Sequence, residues 1–150
     1  RDVFGTFIYL KLATPEQITF HTENGVEITF VYHPFKPLRE PIKTNSIALF
    51  HLDDLVANKA YTIGRRGVWR DYVDLFFLLN WNLYSIENLI HLAEQKFKGE
   101  FNPKLFLLQL VYFKDVRIVE TIFVKRLITP QEIKSFLEKQ VEQYLKKTLK

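Results

Sequence analysis

The sequence predicts an α+β fold, with a small antiparallel sheet followed by a bundle of about five helices. The first 51 residues contain short runs rich in aromatic and β-branched residues, and turn-forming residues separate these runs. From Leu52 onward, the apolar residues instead recur at helical spacing, and helix-capping residues precede several runs. Strands that come first and helices that follow are typical of α+β proteins.

Four strands are predicted, at residues 6–12, 17–22, 26–32 and 46–51. Asn24-Gly25 lies between the second and third strands and is typical of a tight hairpin turn. Between the third and fourth strands, residues 33–41 contain three prolines and predict an extended loop, because proline lacks the backbone donor that regular structure needs.

Five helices are predicted after this β-rich part. Asp53 or Asp54 is the expected cap of the first helix, and Gly64 and Gly67 are expected to end it. The second helix is predicted from Trp69 to Leu79. The other three are expected to begin at Ser85, at Asn102-Pro103 and at Thr129-Pro130, where capping residues or helix-starting prolines stand.

Composition restricts the function classes only weakly. The net charge of +4 and a pI near 9.2 suit an anionic ligand such as a nucleotide or RNA. The absence of cysteine excludes disulfides and thiolate metal sites. No apolar run is long enough to predict a membrane span, and the N-terminus lacks a signal-peptide pattern, so we expect a cytoplasmic protein with no membrane partner.

The sequence begins with Arg1 and contains no methionine. Because translation starts with methionine, we expect the chain to be part of something longer. We expect residues 1–51 to be the β-rich remainder of a core and residues 52–150 to be its helical part, together forming one compact unit.

Charged side chains interrupt the apolar stretch at residues 52–79. They are Asp53, Asp54, Lys59, Arg65, Arg66, Arg70, Asp71 and Asp74. Burying an unpaired charge is costly, so charges within an apolar segment indicate either ion pairing or a functional use.

Helical spacing predicts which of these charges can meet. Asp54 and Lys59 are five residues apart, on faces about 140° apart, so they need not pair. A continuous helix would place Lys59 and Arg66 on one face. In the next helix, Asp74 shares a face with Asp71 and can pair with Arg70.

Two interpretations of this pattern remain open. The charges can join two helices through structural salt bridges. Alternatively, Lys59 and Arg66 face an anion, while Asp71 and Asp74 hold the basic groups in place, because lysine and arginine are both suited to binding phosphate.

The segment resembles the signature of the AbiEii/AbiGii toxin-type nucleotidyltransferase family, within the polymerase-β-like superfamily. That signature has an Asp-x4-Lys helix, a turn with Arg-Gly, and a helix with a basic-Asp-x-x-Asp-Leu pattern. The matching residues are Asp54, Lys59, Arg66-Gly67, Arg70-Asp71 and Asp74-Leu75. The resemblance extends over about residues 17 to 113.

The resemblance implies transfer of a nucleotide from a nucleoside triphosphate to an acceptor, with Mg²⁺. Some members of the family modify tRNA, and some are toxins paired with an antitoxin protein. Carried over by residue, the resemblance implies nucleotide-binding Lys59, Arg66 and Arg70, catalytic Asp71, and supporting Asp54 and Asp74.

The sequence departs from the superfamily pattern at the metal site. Nucleotidyl transfer uses metal ions to gather the phosphate oxygens, and the superfamily holds them with an Asp-x-Asp pair after a Gly-rich segment. Neither feature occurs in this sequence. A third carboxylate is expected on the strand before the proline-rich loop, where Thr29 stands. Glu27 lies on the same face of that strand and is the candidate substitute ligand.

Three hypotheses follow. The chain is the distal part of a nucleotidyltransferase whose metal ligands lie upstream, which the missing methionine favours. It is instead a catalytically inactive relative that binds a nucleotide or RNA, which Thr29 favours. In the third hypothesis, the charged cluster is purely structural.

Overall fold

The computed structural model describes residues 8–124 and 127–148. The chain divides into two compact units, Arg1–Lys36 and Pro37–Lys150. Among the described residues, the first unit contains three strands and the second contains five α-helices, so the predicted α+β class is confirmed.

The strands of the first unit are β1 (Ile8–Ala13), β2 (Gln17–Thr22) and β3 (Glu27–Val31). They pair antiparallel in the order β1-β2-β3. The β2–β3 hairpin turns at Gly25, whose φ of 77° lies in the left-handed region that glycine adopts at no steric cost. The hairpin predicted from Asn24-Gly25 is therefore confirmed.

The predicted strand at residues 46–51 is wrong, because only one isolated bridge occurs there, between Ile42 and Leu49. Thr44 makes a local turn instead. Its hydroxyl accepts a hydrogen bond from the Ser46 N–H and donates one to the Ile47 carbonyl. Such local bonds occupy the backbone groups that a strand would use. At the other end, residues 6 and 7 of the first predicted strand lie outside the described residues.

The second unit contains the helices α1 (Leu52–Ile63), α2 (Trp69–Asn80), α3 (Ile86–Phe97), α4 (Pro103–Val111) and α5 (Pro130–Thr148). A short 3-10 turn, Lys98–Glu100, follows α3. None of the helices in the described ranges is long and apolar enough to cross a lipid bilayer.

Local capping explains where most of these helices begin. Ser85 and Asn88 form a reciprocal capping box at α3, and Asn102 accepts the N–H of Leu105 at α4. The α1 prediction needs correction, because His51 is the cap there: its Nδ1 accepts the N–H of Asp53. The two aspartates that follow His51 lie inside the first turn, and their side chains bind elsewhere.

The core of the second unit lies where α1, α2, α3 and α4 meet, and α5 packs on α2, α3 and α4. Its largest fully buried apolar side chains are Tyr72, Phe97, Phe106, Ile63, Leu75, Leu89, Leu110, Ile133, Leu137 and Val56. Burial of this apolar surface fixes the α1–α2 hairpin, on which most of the predicted site residues stand.

Candidate functional site

The α1–α2 hairpin brings Lys59 onto two carboxylates of α2. The Lys59 Nζ lies 2.7 Å from Asp71 Oδ1 and 2.5 Å from Asp74 Oδ2. Asp71 and Asp74 share one face of α2, as their spacing predicts. We call Lys59, Asp71 and Asp74 the open cluster, because part of it faces solvent.

Solvent reaches the open cluster from one side. Asp71 is nearly buried, the Lys59 side chain is 19% exposed, and the Asp74 side chain is 49% exposed. An ammonium group has three N–H donors, and the two carboxylates accept two of them. The third has no partner in the part of the chain that the structure describes. Within the described residues, the Lys59 ammonium therefore keeps one donor that its two carboxylates do not use.

Lys59 is a permanent cation at neutral pH. Burial works to lower the pKa of Lys59, but its hydrogen bonds to Asp71 and Asp74 more than offset this effect. The pKa of Lys59 is therefore raised above its ordinary value of 10.5. The two carboxylates thus keep the cation charged and fix its position.

Asp54 belongs to a second cluster on α1 that is completely buried. The Asp54 and Lys96 side chains are both 0% exposed, and Lys96 Nζ lies 2.6 Å from Asp54 Oδ1. Asp54 also accepts the backbone N–H groups of Leu38, at 2.8 Å, and of Arg39, at 3.0 Å. We call Asp54, Lys96 and these two backbone groups the sealed cluster.

The sealed cluster holds the proline-rich loop against the start of α1. Burial works to raise the pKa of Asp54, but the hydrogen bonds from Lys96 and from the Leu38 and Arg39 backbones outweigh it. The pKa of Asp54 is therefore lowered, and its carboxylate stays ionised. Because no part of Asp54 is accessible, its contacts are those of a structural support.

A shared helical face for Lys59 and Arg66 required a helix that continues through both residues, and α1 ends before Arg66. Helix α1 ends at Ile63, and Arg66 lies in the turn, where its backbone N–H bonds to the Thr62 carbonyl. Gly64 is the C-cap of α1, where its N–H still donates to the Ala60 carbonyl as in a regular helical turn.

Arg70 lies exposed in the first turn of α2. The predicted pair between Arg70 and Asp74 is not found among residues 8–124 and 127–148, where Asp74 pairs with Lys59 instead. Within those residues, neither Arg66 nor Arg70 forms an ion pair. Both residues are exposed, so solvent can reach their side chains.

Glu27, the candidate metal ligand, is engaged within the strand unit. It lies 2.5 Å from Lys11 Nζ and 3.1 Å from His21 Nε2. The hydrogen bond from Lys11 lowers the pKa of Glu27. Thr29, on the same strand, hydrogen-bonds to the Thr19 hydroxyl at 3.0 Å. Both side chains are therefore occupied by strand neighbours.

The described residues do not fit a Mg²⁺ site. No group of three His, Asp or Glu side chains within them is arranged to hold a metal ion. Asp54 and Asp71 are each bound to a lysine, and Glu27 is bound to Lys11. A hard divalent cation needs several free oxygen ligands, which these paired carboxylates do not offer.

Sequence reasoning missed Lys96, although the sequence contains a signal. Lys96 follows Leu89 by seven residues and Ala93 by three, so it stands on the apolar stripe of α3. A lysine on a buried stripe indicates a buried acid partner. The identity of that partner, Asp54, depends on the packing of α3 against α1.

Sequence reasoning also missed the role of Asp53. It accepts the Tyr84 hydroxyl at 2.7 Å and the Arg39 Nε at 2.8 Å. Burial and the bond to Asp53 raise the pKa of Tyr84 to about 12, so the hydroxyl remains a donor. Asp53 thus connects α1 to the loop before it and to the segment that precedes α3.

The chain is similar to a known protein family and to an uncharacterized bacterial protein. Residues 14–148 match the family described as "Nucleotidyl transferase AbiEii toxin, Type IV TA system". An uncharacterized protein of Aquifex aeolicus (strain VF5) is 28% identical over 126 residues, which cover 81% of this chain and 59% of that protein. The chain thus spans 59% of the length of this curated relative. No solved structure matches the present chain.

Proposed function

The chain belongs to the AbiEii nucleotidyltransferase toxin family, and from this premise we propose that it binds the triphosphate of a nucleoside triphosphate for transfer of the nucleotide to an acceptor. The open cluster is the proposed triphosphate site. In this proposal, the described residues contribute the ammonium group of Lys59 and no ligands for a metal ion.

The geometry of Lys59 is the observation that carries this proposal. Its ammonium group is fixed by Asp71 and Asp74, remains charged, and keeps one N–H without a protein partner in the described residues. Lys96, by contrast, is sealed, so no ligand can reach it. A positioned ammonium with a free donor binds phosphate oxygens as a point charge.

The neighbouring residues have different proposed roles. Asp71 holds Lys59 at the edge of the site and is the residue that the family pattern makes catalytic. Arg66 and Arg70 are exposed near Lys59 in the sequence of the hairpin and are proposed to contact the nucleotide. Asp74 is proposed to hold Lys59 together with Asp71, and the buried Asp54 to stabilise the start of α1.

Membership in a toxin–antitoxin family also suggests partners. We propose a cytoplasmic enzyme that uses a nucleoside triphosphate, acts on an RNA acceptor such as tRNA, and is neutralised by an antitoxin protein. Dependence on Mg²⁺ is part of the proposal, since the family performs nucleotidyl transfer and such reactions are commonly metal-assisted.

Nucleotide titration of the full chain tests the proposal. Lys59→Ala is expected to weaken the binding of nucleoside triphosphates at least about tenfold, the loss typical of one charge-assisted hydrogen bond. The matched control is Lys104→Ala, because Lys104 is exposed on α4 and forms no ion pair within the described ranges. Titration calorimetry with and without Mg²⁺ measures both variants.

The outcomes separate the open hypotheses. Mg²⁺-dependent binding that Lys59→Ala removes supports the nucleotidyltransferase. Binding that is independent of Mg²⁺, but is still lost in Lys59→Ala, supports an inactive nucleotide- or RNA-binding relative, which the engagement of Glu27 by Lys11 favours. If the wild type and Lys59→Ala bind nucleoside triphosphates equally well, the role of the open cluster is purely structural.

A further inference from the structure

A cavity of 490 Å³ lies beside the first turn of α2. Its walls are formed by Val68, Trp69, Arg70 and residues 119–122. Ligand sites for small molecules typically have about 300–1,000 Å³, and they combine apolar walls with a few polar groups. The cavity has this composition, and the proposed triphosphate site does not account for it.

Two charged side chains of opposite sign line the cavity. Arg70 comes from α2, and Glu120 comes from the segment between α4 and α5. Both are exposed, and in the part of the chain that the structure describes neither forms an ion pair. Among the apolar lining residues, Trp69 is buried, whereas Val119 and Ile122 are exposed on the open side of the cavity. Within the described residues, the cavity therefore presents a cation and an anion that have no ion-pair partner.

The hydrogen-bonding chemistry of these two groups restricts the ligand. A guanidinium group only donates, and an ionised carboxylate only accepts. A ligand that satisfies both must carry acceptors and donors together, on a flat body that suits apolar walls. Nucleobases have this arrangement: glutamate accepts from an exocyclic amino group, and arginine donates to ring nitrogens or carbonyl oxygens.

The position of the cavity connects it to the open cluster. Arg70 precedes Asp71 directly on α2, and Asp71 holds Lys59. Arg70 thus lines the cavity while its neighbour in the sequence fixes the proposed triphosphate cation. The first turn of α2 therefore contributes residues to both features.

We propose that this cavity binds a nucleobase, with Arg70 and Glu120 contacting its hydrogen-bonding edge. The proposal rests on the function proposed above. The base belongs either to the nucleoside triphosphate or to a single-stranded end of the acceptor RNA. Bases with an exocyclic amino group, in cytosine, adenine and guanine, bind better than uracil, because only the amino group offers Glu120 two N–H donors.

The test compares ligands with and without a base. CTP, UTP and inorganic tripolyphosphate are titrated into the wild type, Glu120→Gln and Arg70→Gln. Glu120→Gln is expected to weaken CTP binding about tenfold, as for loss of a charged hydrogen bond, and to leave tripolyphosphate binding unchanged. Glu138→Gln is the matched control, since Glu138 is exposed on α5 and forms no ion pair among the described residues.

A short single-stranded RNA identifies the source of the base. A loss of CTP affinity in Glu120→Gln assigns the cavity to the triphosphate's own base. A loss of RNA affinity with unchanged CTP affinity assigns it to the acceptor. Wild-type affinity of Glu120→Gln and Arg70→Gln for both CTP and RNA overturns the proposal. Unchanged melting temperatures show that both variants remain folded.

The tripolyphosphate titration keeps this inference separate from the proposed function. Failure of Lys59→Ala to change tripolyphosphate binding contradicts the triphosphate site and leaves the comparison of bases intact. Conversely, tripolyphosphate binding that depends on Lys59 supports the triphosphate site. If Glu120→Gln then leaves the CTP and UTP affinities unchanged, the cavity does not bind the base.

Discussion

Helix α1 carries a sealed cluster and an open cluster only five residues apart, and the two contrast in their access to solvent. In the sealed cluster, Asp54 and Lys96 are completely buried. In the open cluster, Lys59 and Asp74 both reach solvent. Both clusters use the same residue types, so the burial of the lysine, rather than its pairing, separates the cation of the sealed cluster from the cation that solvent reaches.

The cause of the difference is the direction in which each residue leaves α1. Asp54 and Lys59 point about 140° apart around the helix. Asp54 points to α3, whose Lys96 meets it inside the core. Lys59 points to the first turns of α2, where the helix pair opens to solvent. The hairpin therefore stabilises itself on one side and presents a cation on the other.

The largest loss of stability is expected when the buried cation, Lys96, is removed. Lys96→Met leaves the Asp54 carboxylate ionised, buried and without its cation, which costs about 3–5 kcal/mol in a buried pair. Urea unfolding measures the loss in the free energy of unfolding. Lys59→Met, the counterpart in the open cluster, is expected to lose about 1–2 kcal/mol, because solvent partly replaces the missing ammonium.

A double variant sharpens this comparison. In Asp54→Asn/Lys96→Met no buried charge remains, and the amide oxygen still accepts one backbone N–H. We therefore expect the double variant to be more stable than Lys96→Met alone. Equal losses for Lys96→Met and Lys59→Met would show that burial does not distinguish the two clusters.

The second largest effect on stability is expected at Gly67, which lies in the turn between α1 and α2. A Cβ on Gly67 would lie 2.8 Å from the Tyr72 hydroxyl and 3.0 Å from Val116 Cγ2. We expect Gly67→Ala to cost about 1–3 kcal/mol, as overpacking does. The Tyr72 hydroxyl cannot move freely, because it donates to the Gln109 carbonyl at 3.0 Å.

Thermal unfolding of matched variants checks the steric cause at Gly67. Gly99→Ala is the control, because a Cβ there has nothing within 4 Å. Tyr72→Phe removes the atom in closest contact, so adding it to Gly67→Ala is expected to recover part of the lost stability. A Gly67→Ala protein as stable as Gly99→Ala would contradict the close packing of this turn.

Acid is expected to weaken the sealed cluster, although this effect is absent at neutral pH. The pKa of Asp54 in the folded protein is lower than its ordinary value of 3.8. Its contribution to stability is therefore complete above about pH 4 and is lost as the pH falls through the folded-state pKa. The stability gap between the wild type and Asp54→Asn should narrow in that acid range, as urea unfolding at several pH values measures. A gap that stays constant below about pH 3 would refute this linkage.

The smallest effect is expected at an ion pair that is exposed on both sides. Arg65 and Glu100 lie 3.3 Å apart, and their side chains are 58% and 57% exposed. Exposed pairs contribute about 0–1 kcal/mol, so Glu100→Gln should change the free energy of unfolding by less than about 1 kcal/mol. A larger loss would indicate that the contacts of Tyr61 with Glu100 contribute more than the ion pair.

Local features of the fold were predictable from the sequence. Asn24-Gly25 predicted the hairpin, Ser85 predicted the start of α3, and the 64–67 turn predicted the end of α1. These signals act over a few residues, because caps and turns satisfy backbone groups next to them in the chain. The prediction of a strand at residues 46–51 was wrong because of another local signal. The Thr44 hydroxyl hydrogen-bonds to the backbone of Ser46 and Ile47 and makes a turn there.

The contacts of the candidate site were only partly predictable. The spacing of Asp71 and Asp74 predicted a shared face, and both carboxylates meet Lys59. The pairing of Asp54 with Lys96, 42 residues away, had no local signal that named the partner. Glu120 had none either, because it reaches the Arg70 cavity through a segment without regular structure.

The sequence by itself determined that strands precede helices, the β2–β3 turn, the caps of α3 and α4, and the family signature from Asp54 to Leu75. These depend on intervals of a few residues, for which backbone geometry sets the outcome. The tertiary structure decided which lysine is sealed and which is open. It also decided that a cavity forms beside Arg70. Those outcomes depend on how distant helices pack, because burial fixes the solvation and the partners of each charge.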